Sequence, residues 1–152
     1  MAYSEVNGPE PCPLPAPPVG DSAWILGDVC TVTLDGPTAY FAWTEVPLTI
    51  ASKGIIQSGH GLLTVTAQAG TDHSGVSIMA VIQAVDATGG VSQTNGAETL
   101  QGPTNVPWNP ITAEAPLQPT VESLRVGVRF AGEQTPVGGW FDDLYVEVLS
   151  CP

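Results

Sequence analysis

Glycine and proline recur so densely along this chain, 17 and 15 of its 152 residues, that no long helical scaffold can be sustained. Proline removes a backbone donor and glycine costs conformational entropy inside a helix, so turns come often and the regular elements between them are short. The stretches between the turns alternate β-branched or aromatic residues with polar ones. The cleanest is Leu124-Arg-Val-Gly-Val-Arg-Phe130, which puts Leu124, Val126, Val128 and Phe130 on one face and Arg125 and Arg129 on the other.

The same period marks strands along much of the chain. Asp28 to Leu34 is one, stopped by the turn signal Asp35-Gly36-Pro37. Thr38 to Trp43 is a second, and Val46 to Ala51 is a candidate third. Gly54 to Gly61 contains a loop, and Leu62 to Ala67 then places Leu63, Val65 and Ala67 on one face. Val76 to Val85 is apolar on both faces, Val76, Ile78, Ala80 and Ile82 against Met79, Val81 and Val85. That pattern predicts a central strand covered on each side, or one whose outward face meets a loop or a partner. Residues 86–106 read as loop with a short strand at Ala97 to Leu100. Trp108 to Thr112 opens a segment that Pro116 and Pro119 interrupt, and Phe141 to Leu149 supplies Leu144, Val146 and Val148 to the core. No helix is predicted. About eight short strands at this spacing make an all-β fold, an antiparallel β-sandwich with jelly-roll topology.

The first twenty residues differ in kind. Pro9, Pro11, Pro13, Pro15, Pro17 and Pro18 forbid helix and interior strand and favour polyproline-like geometry. Residues 1–20 therefore read as a Pro-rich extended arm, ordered where it lies along a neighbouring subunit or its own domain, and residues 21–152 as one sandwich. The N-terminus carries neither a basic nor an apolar signal region, and no apolar run is long enough to span a bilayer.

With 15 acidic and 3 basic residues the net charge is -12. Three scattered cations, Lys53, Arg125 and Arg129, cannot neutralise a phosphate backbone or hold an anionic bilayer, which excludes nucleic acid and membrane as partners. A basic partner surface or bound cations suit this balance. Cys12, Cys30 and Cys151 form no CxxC pattern. They read either as three thiols or as one bridge that pins a tail to the sandwich, with the odd cysteine free.

Catalytic constellations are not evident. His60 and His73 fall in turns, and Asp72-His73-Ser74 are consecutive, so they do not converge as a triad does. Asp142 and Asp143 on a strand point to opposite faces, unlike a glycosidase pair. The chain is predicted not to be an enzyme.

The C-terminal run Gly139-Trp-Phe-Asp-Asp-Leu-Tyr-Val-Glu-Val148 resembles the closing motif of jelly-roll carbohydrate-binding modules and galactose-binding-like domains, and the order of elements from Trp24 to Leu149 is similar to theirs. The resemblance implies a structural calcium at Asp142 or Asp143, with Asp28 or Glu10 as companions, and requires no other cofactor. The competing reading has Asp142 bonding a turn and Asp143 facing solvent. The resemblance also implies sugar stacking on aromatic planes, for which Tyr40, Trp43, Trp108, Trp140 and Tyr145 are the candidates, as glycan contacts or as core and interface anchors.

A lone sandwich with a proline arm and little lysine also resembles bacteriophage particle proteins. That likeness predicts a virion location and a noncatalytic capsid decoration protein bridging neighbouring subunits. Its partners would be the major capsid or another virion protein and further copies of itself in a homo-oligomer. The alternative function is a carbohydrate-binding module or a tail accessory protein that recognises a surface glycan.

Overall fold

The computed structural model describes residues 4–5, 18, 24–27, 38–97, 99–134 and 136–152. Their elements are β1 (Ser4–Glu5), β2 (Trp24–Gly27), β3 (Ala39–Glu45), α1 (Ile50–Gln57), β4 (Gly61–Gly70), β5 (Val76–Asp86), β6 (Val91–Asn95), β7 (Leu100–Gln101), β8 (Asn109–Leu117), β9 (Val121–Gly132) and β10 (Gly138–Ser150). One sheet has the order β1-β2-β10-β4-β8 and the other β3-β9-β5-β6, with β7 also paired to β5. Every pairing is antiparallel. Strands pair from the ends of the chain inward, β2 with β10, β3 with β9, β4 with β8 and β5 with β6, which is the winding of a jelly roll.

Alternation fixes which side of each strand enters the sandwich. Leu63, Val65, Ala67 and Ala69 of β4 and Ile111, Ala113, Ala115 and Leu117 of β8 meet Val76, Ile78, Ala80 and Ile82 of β5 and Leu124, Val126, Val128 and Phe130 of β9. Gly139 has no side chain because the Phe130 ring occupies the space a Cβ would need. Leu144, Val146 and Val148 pack against this core from β10, as their spacing predicts.

Four local features depart from the sequence reading. Residues 50–57 are a helix rather than strand and loop. Thr49 caps it by accepting from the Ser52 N–H at 3.1 Å, Gly59 ends it at φ 78°, and Ile56 anchors it in the core. Residues 91–95, read as loop, form β6 beside β5. Pro110 and Pro116 lie within β8, which tolerates them because it is an edge strand whose free side needs no donors. Finally, β10 shifts register between Asp142 and Tyr145, and Asp143 takes φ 52°, so these aspartates sit in a bulge rather than on a regular strand.

The expected arm lies outside the described residues apart from Ser4, Glu5 and Pro18; Ser4 and Glu5 pair with Ile25 and Trp24. Cys12 and Cys30 also lie outside them. Cys151 is an exposed free thiol, so no bridge pins the C-terminal tail, which is tied instead by its N–H to the His60 carbonyl at 2.8 Å.

Candidate ligand-binding face

The outward side of the sheet β3-β9-β5-β6 is built from residues that alternate with the core set, and register aligns them into rows across the strands. Glu45, Arg125, Gln83 and Gln93 form one row. Trp43, Gly127, Val81 and Asn95 form the next, then Phe41, Arg129 and Met79. Three strand spacings make this face about 14 Å wide.

Its floor is apolar. Val81 is fully buried although it points away from the core, and Phe41, Trp43 and Met79 are half-buried. The expectation that β5 is covered on both faces therefore holds at Val81. Polar groups crowd the same rows. The Arg125 guanidinium carbon lies 4.7 Å from the centroid of the Trp43 ring, a cation–π contact that holds the indole in place. Arg125 Nε is 3.9 Å from Glu45 Oε1, close enough for charge attraction but beyond hydrogen-bond reach, and this buried N–H has no hydrogen-bond acceptor among the described residues. Gln83 Nε2 donates to Gln93 Oε1 at 3.0 Å, and Gln93 Nε2 donates to Asn95 Oδ1 at 2.9 Å, a chain of side-chain amides along the rim.

At the end of the sheet beyond the Arg129 row, a depression of ≈ 590 Å³ is lined by Ser77, Gln101, Ala131, Gly132, Glu133 and Gln134. Ser77 Oγ donates to Gln101 Oε1 there at 3.1 Å. An apolar floor bordered by amide, guanidinium and carboxylate groups suits a ligand with apolar faces and many hydroxyls.

The five aromatic candidates do not form one platform. Trp43 alone stands on this face. Tyr40 is three residues away on a strand of period two, so it faces inward and packs against the core. Trp140 is 7% exposed on the other sheet, lies against Gly70, and donates from Nε1 to the Pro107 carbonyl at 2.7 Å, which makes it an anchor. Trp108 is half-buried in the turn before β8. Tyr145 is 56% exposed, opposite Thr66 on the outer side of the other sheet. Phe41, Gln83, Gln93 and Asn95 were not singled out from sequence. For Phe41 and Gln83 the signal was the outward parity of strands already recognised.

Asp142 is half-buried and Asp143 exposed. Among the described residues no three histidine, cysteine, aspartate or glutamate side chains converge. Asp28 and Glu10 lie outside them.

No family model matches the chain, and no curated protein matches it. Solved structures do. The CBM22-1 and GH10 modules of a Clostridium thermocellum endo-1,4-beta-D-xylanase, complexed with xylohexaose, match at TM-score 0.58 and 15% identity over 96% of this chain and 24% of that one. The C-terminal family 22 carbohydrate-binding module of a Clostridium thermocellum xylanase matches at 0.57 and 12% identity, over 97% and 82%. The CBM22-1 xylan-binding domain of a Paenibacillus barcinonensis protein matches at 0.56 and 8%, over 99% and 87%.

The chain has the fold of these carbohydrate-binding modules. The reading of the chain as a non-enzyme accords with them, since isolated binding modules match over most of their own length. They overturn the expectation of a capsid decoration protein, and with it the virion location. That expectation rested on composition and the proline arm, which many unrelated proteins share, whereas the matched fold belongs to modules of bacterial polysaccharide-degrading proteins.

Proposed function

We propose that the chain is a noncatalytic carbohydrate-binding domain that holds a xylan-type polysaccharide on the outer face of the sheet β3-β9-β5-β6. The observation that carries this reading is the joining, in adjacent rows, of a fixed indole with a rim of amide, guanidinium and carboxylate groups. A sugar ring has apolar faces of axial C–H groups and an equator of hydroxyls. The Trp43 indole offers the apolar surface, and Arg125, Glu45, Gln83, Gln93 and Asn95 offer donors and acceptors to the equator.

These groups are already held against one another, so little side-chain freedom is lost on binding. The likeness in fold to xylan-binding modules supports this choice of ligand class. Such a domain acts by keeping its chain on polysaccharide, outside the cell where that polymer lies.

Isothermal titration with xylohexaose and soluble xylan tests the reading. Trp43→Ala is expected to weaken binding about tenfold or more, whereas Tyr145→Ala on the opposite sheet leaves it unchanged. Equal affinity of Trp43→Ala and the parent chain would remove the proposed face from consideration.

A further inference from the structure

Two of the three cations in a chain of net charge -12 stand on this one face. Arg125 is committed to Trp43 and Glu45. Arg129 is not: among the described residues no carboxylate pairs with it and its side chain makes no hydrogen bond. Its row neighbours are Phe41 and Met79, apolar and half-buried, and its guanidinium nitrogens are not among the buried unpartnered atoms, so the fork is open to a ligand from solvent. In so acidic a protein an arginine without an acid partner is a free anion receptor. Its planar fork matches a carboxylate.

Arg129 also lies one row, about 7 Å, from Trp43, on the side of the depression lined by Ser77, Gln101, Gln134 and Glu133. A substituent on a sugar seated at Trp43 reaches that distance, and the Glu133 carboxylate further on repels an anion and confines it to Arg129.

Resting on the reading above, we propose that the recognised polysaccharide is acidic, a xylan-type chain carrying uronate side groups, and that Arg129 receives the uronate carboxylate.

The test compares the affinity of the full chain for glucuronoxylan with its affinity for the same polymer after reduction of its carboxyl groups. The acidic polymer is expected to bind about tenfold more tightly at low salt, and the margin to shrink in high salt. Arg129→Gln brings the two affinities together, and Arg129→Lys, which keeps the charge and loses the fork, retains a smaller preference for the acid. Equal binding of both polymers by the parent chain, or a preference that survives in Arg129→Gln, overturns the assignment while leaving carbohydrate binding intact. Failure to bind either polymer overturns the carbohydrate reading itself.

Discussion

Gly127 is the residue on which the face most directly depends. A Cβ at this position would run into the Ala42 carbonyl, which is backbone and cannot swing aside. Gly127→Ala must therefore push β3 away from β9 and carry Trp43 with it. The expected outcome is a loss of about 2–3 kcal/mol in urea unfolding together with weaker glycan binding. Thr71 is the buried polar counterpart: its hydroxyl donates to the Gly138 carbonyl at 2.6 Å and accepts from the His73 N–H at 3.1 Å. Thr71→Val strands both partners and is expected to cost about 1–3 kcal/mol in the same measurement.

Outward placement of Arg125 and Arg129 was legible, because it follows from parity within a single strand. The need for glycine at 127 was not, since it arises from an approach between two strands that no local pattern encodes. The burial of Trp140 was equally hidden, because Gly70 and Pro107 come from distant parts of the chain.

Among the elements, α1 and the β5–β6 hairpin show where local signals were present and where they were outweighed. Thr49 at the N-cap and Gly59 past the C-terminus are recognisable helix bounds, yet the β-branched isoleucines and Gly54 between them point away from helix. Burial of Ile56 decides the outcome. Ile56→Ala is expected to cost about 2–5 kcal/mol in chemical unfolding, well above the roughly 1 kcal/mol expected for Thr49→Ala.

In the hairpin, Asp86 Oδ1 accepts from the Thr88 hydroxyl at 2.6 Å and from the Thr88 and Gly90 N–H groups, each at 2.9 Å. These bonds, the Thr88 hydroxyl foremost, hold the carboxyl below its ordinary value. A lowered folded-state pKa means that the contribution is complete above the unfolded pKa and is lost as pH falls through the folded one. The Tm deficit of Asp86→Ala should therefore be full near neutral pH and shrink below about pH 4. Because this hairpin presents Gln93 and Asn95, the same variant should also weaken glycan binding.

For the whole molecule, the jelly-roll winding pairs β2 with β10 across most of the chain, a long-range closure that slows folding relative to local topologies. The strand pattern made the sandwich legible because two sheets and one core follow from period-two alternation and frequent turns. Jelly-roll topology was expected from the number and spacing of the strands, whereas which strands pair was not, because alternation within a strand does not name its partner. The role was misread where it leaned on composition: few lysines and a proline arm describe a chain's surface and end, whereas a ligand is recognised by what several strands bring to one face.

The account stands most directly on the location of the sugar, and two-dimensional amide and indole NMR of the labelled chain titrated with xylohexaose reads that location. It predicts perturbations centred on the Trp43 indole and the side chains of Arg125, Gln83, Gln93 and Asn95. Perturbations gathered instead around Tyr145, Thr66 and Thr112 on the opposite sheet, or none at saturating sugar, would contradict it.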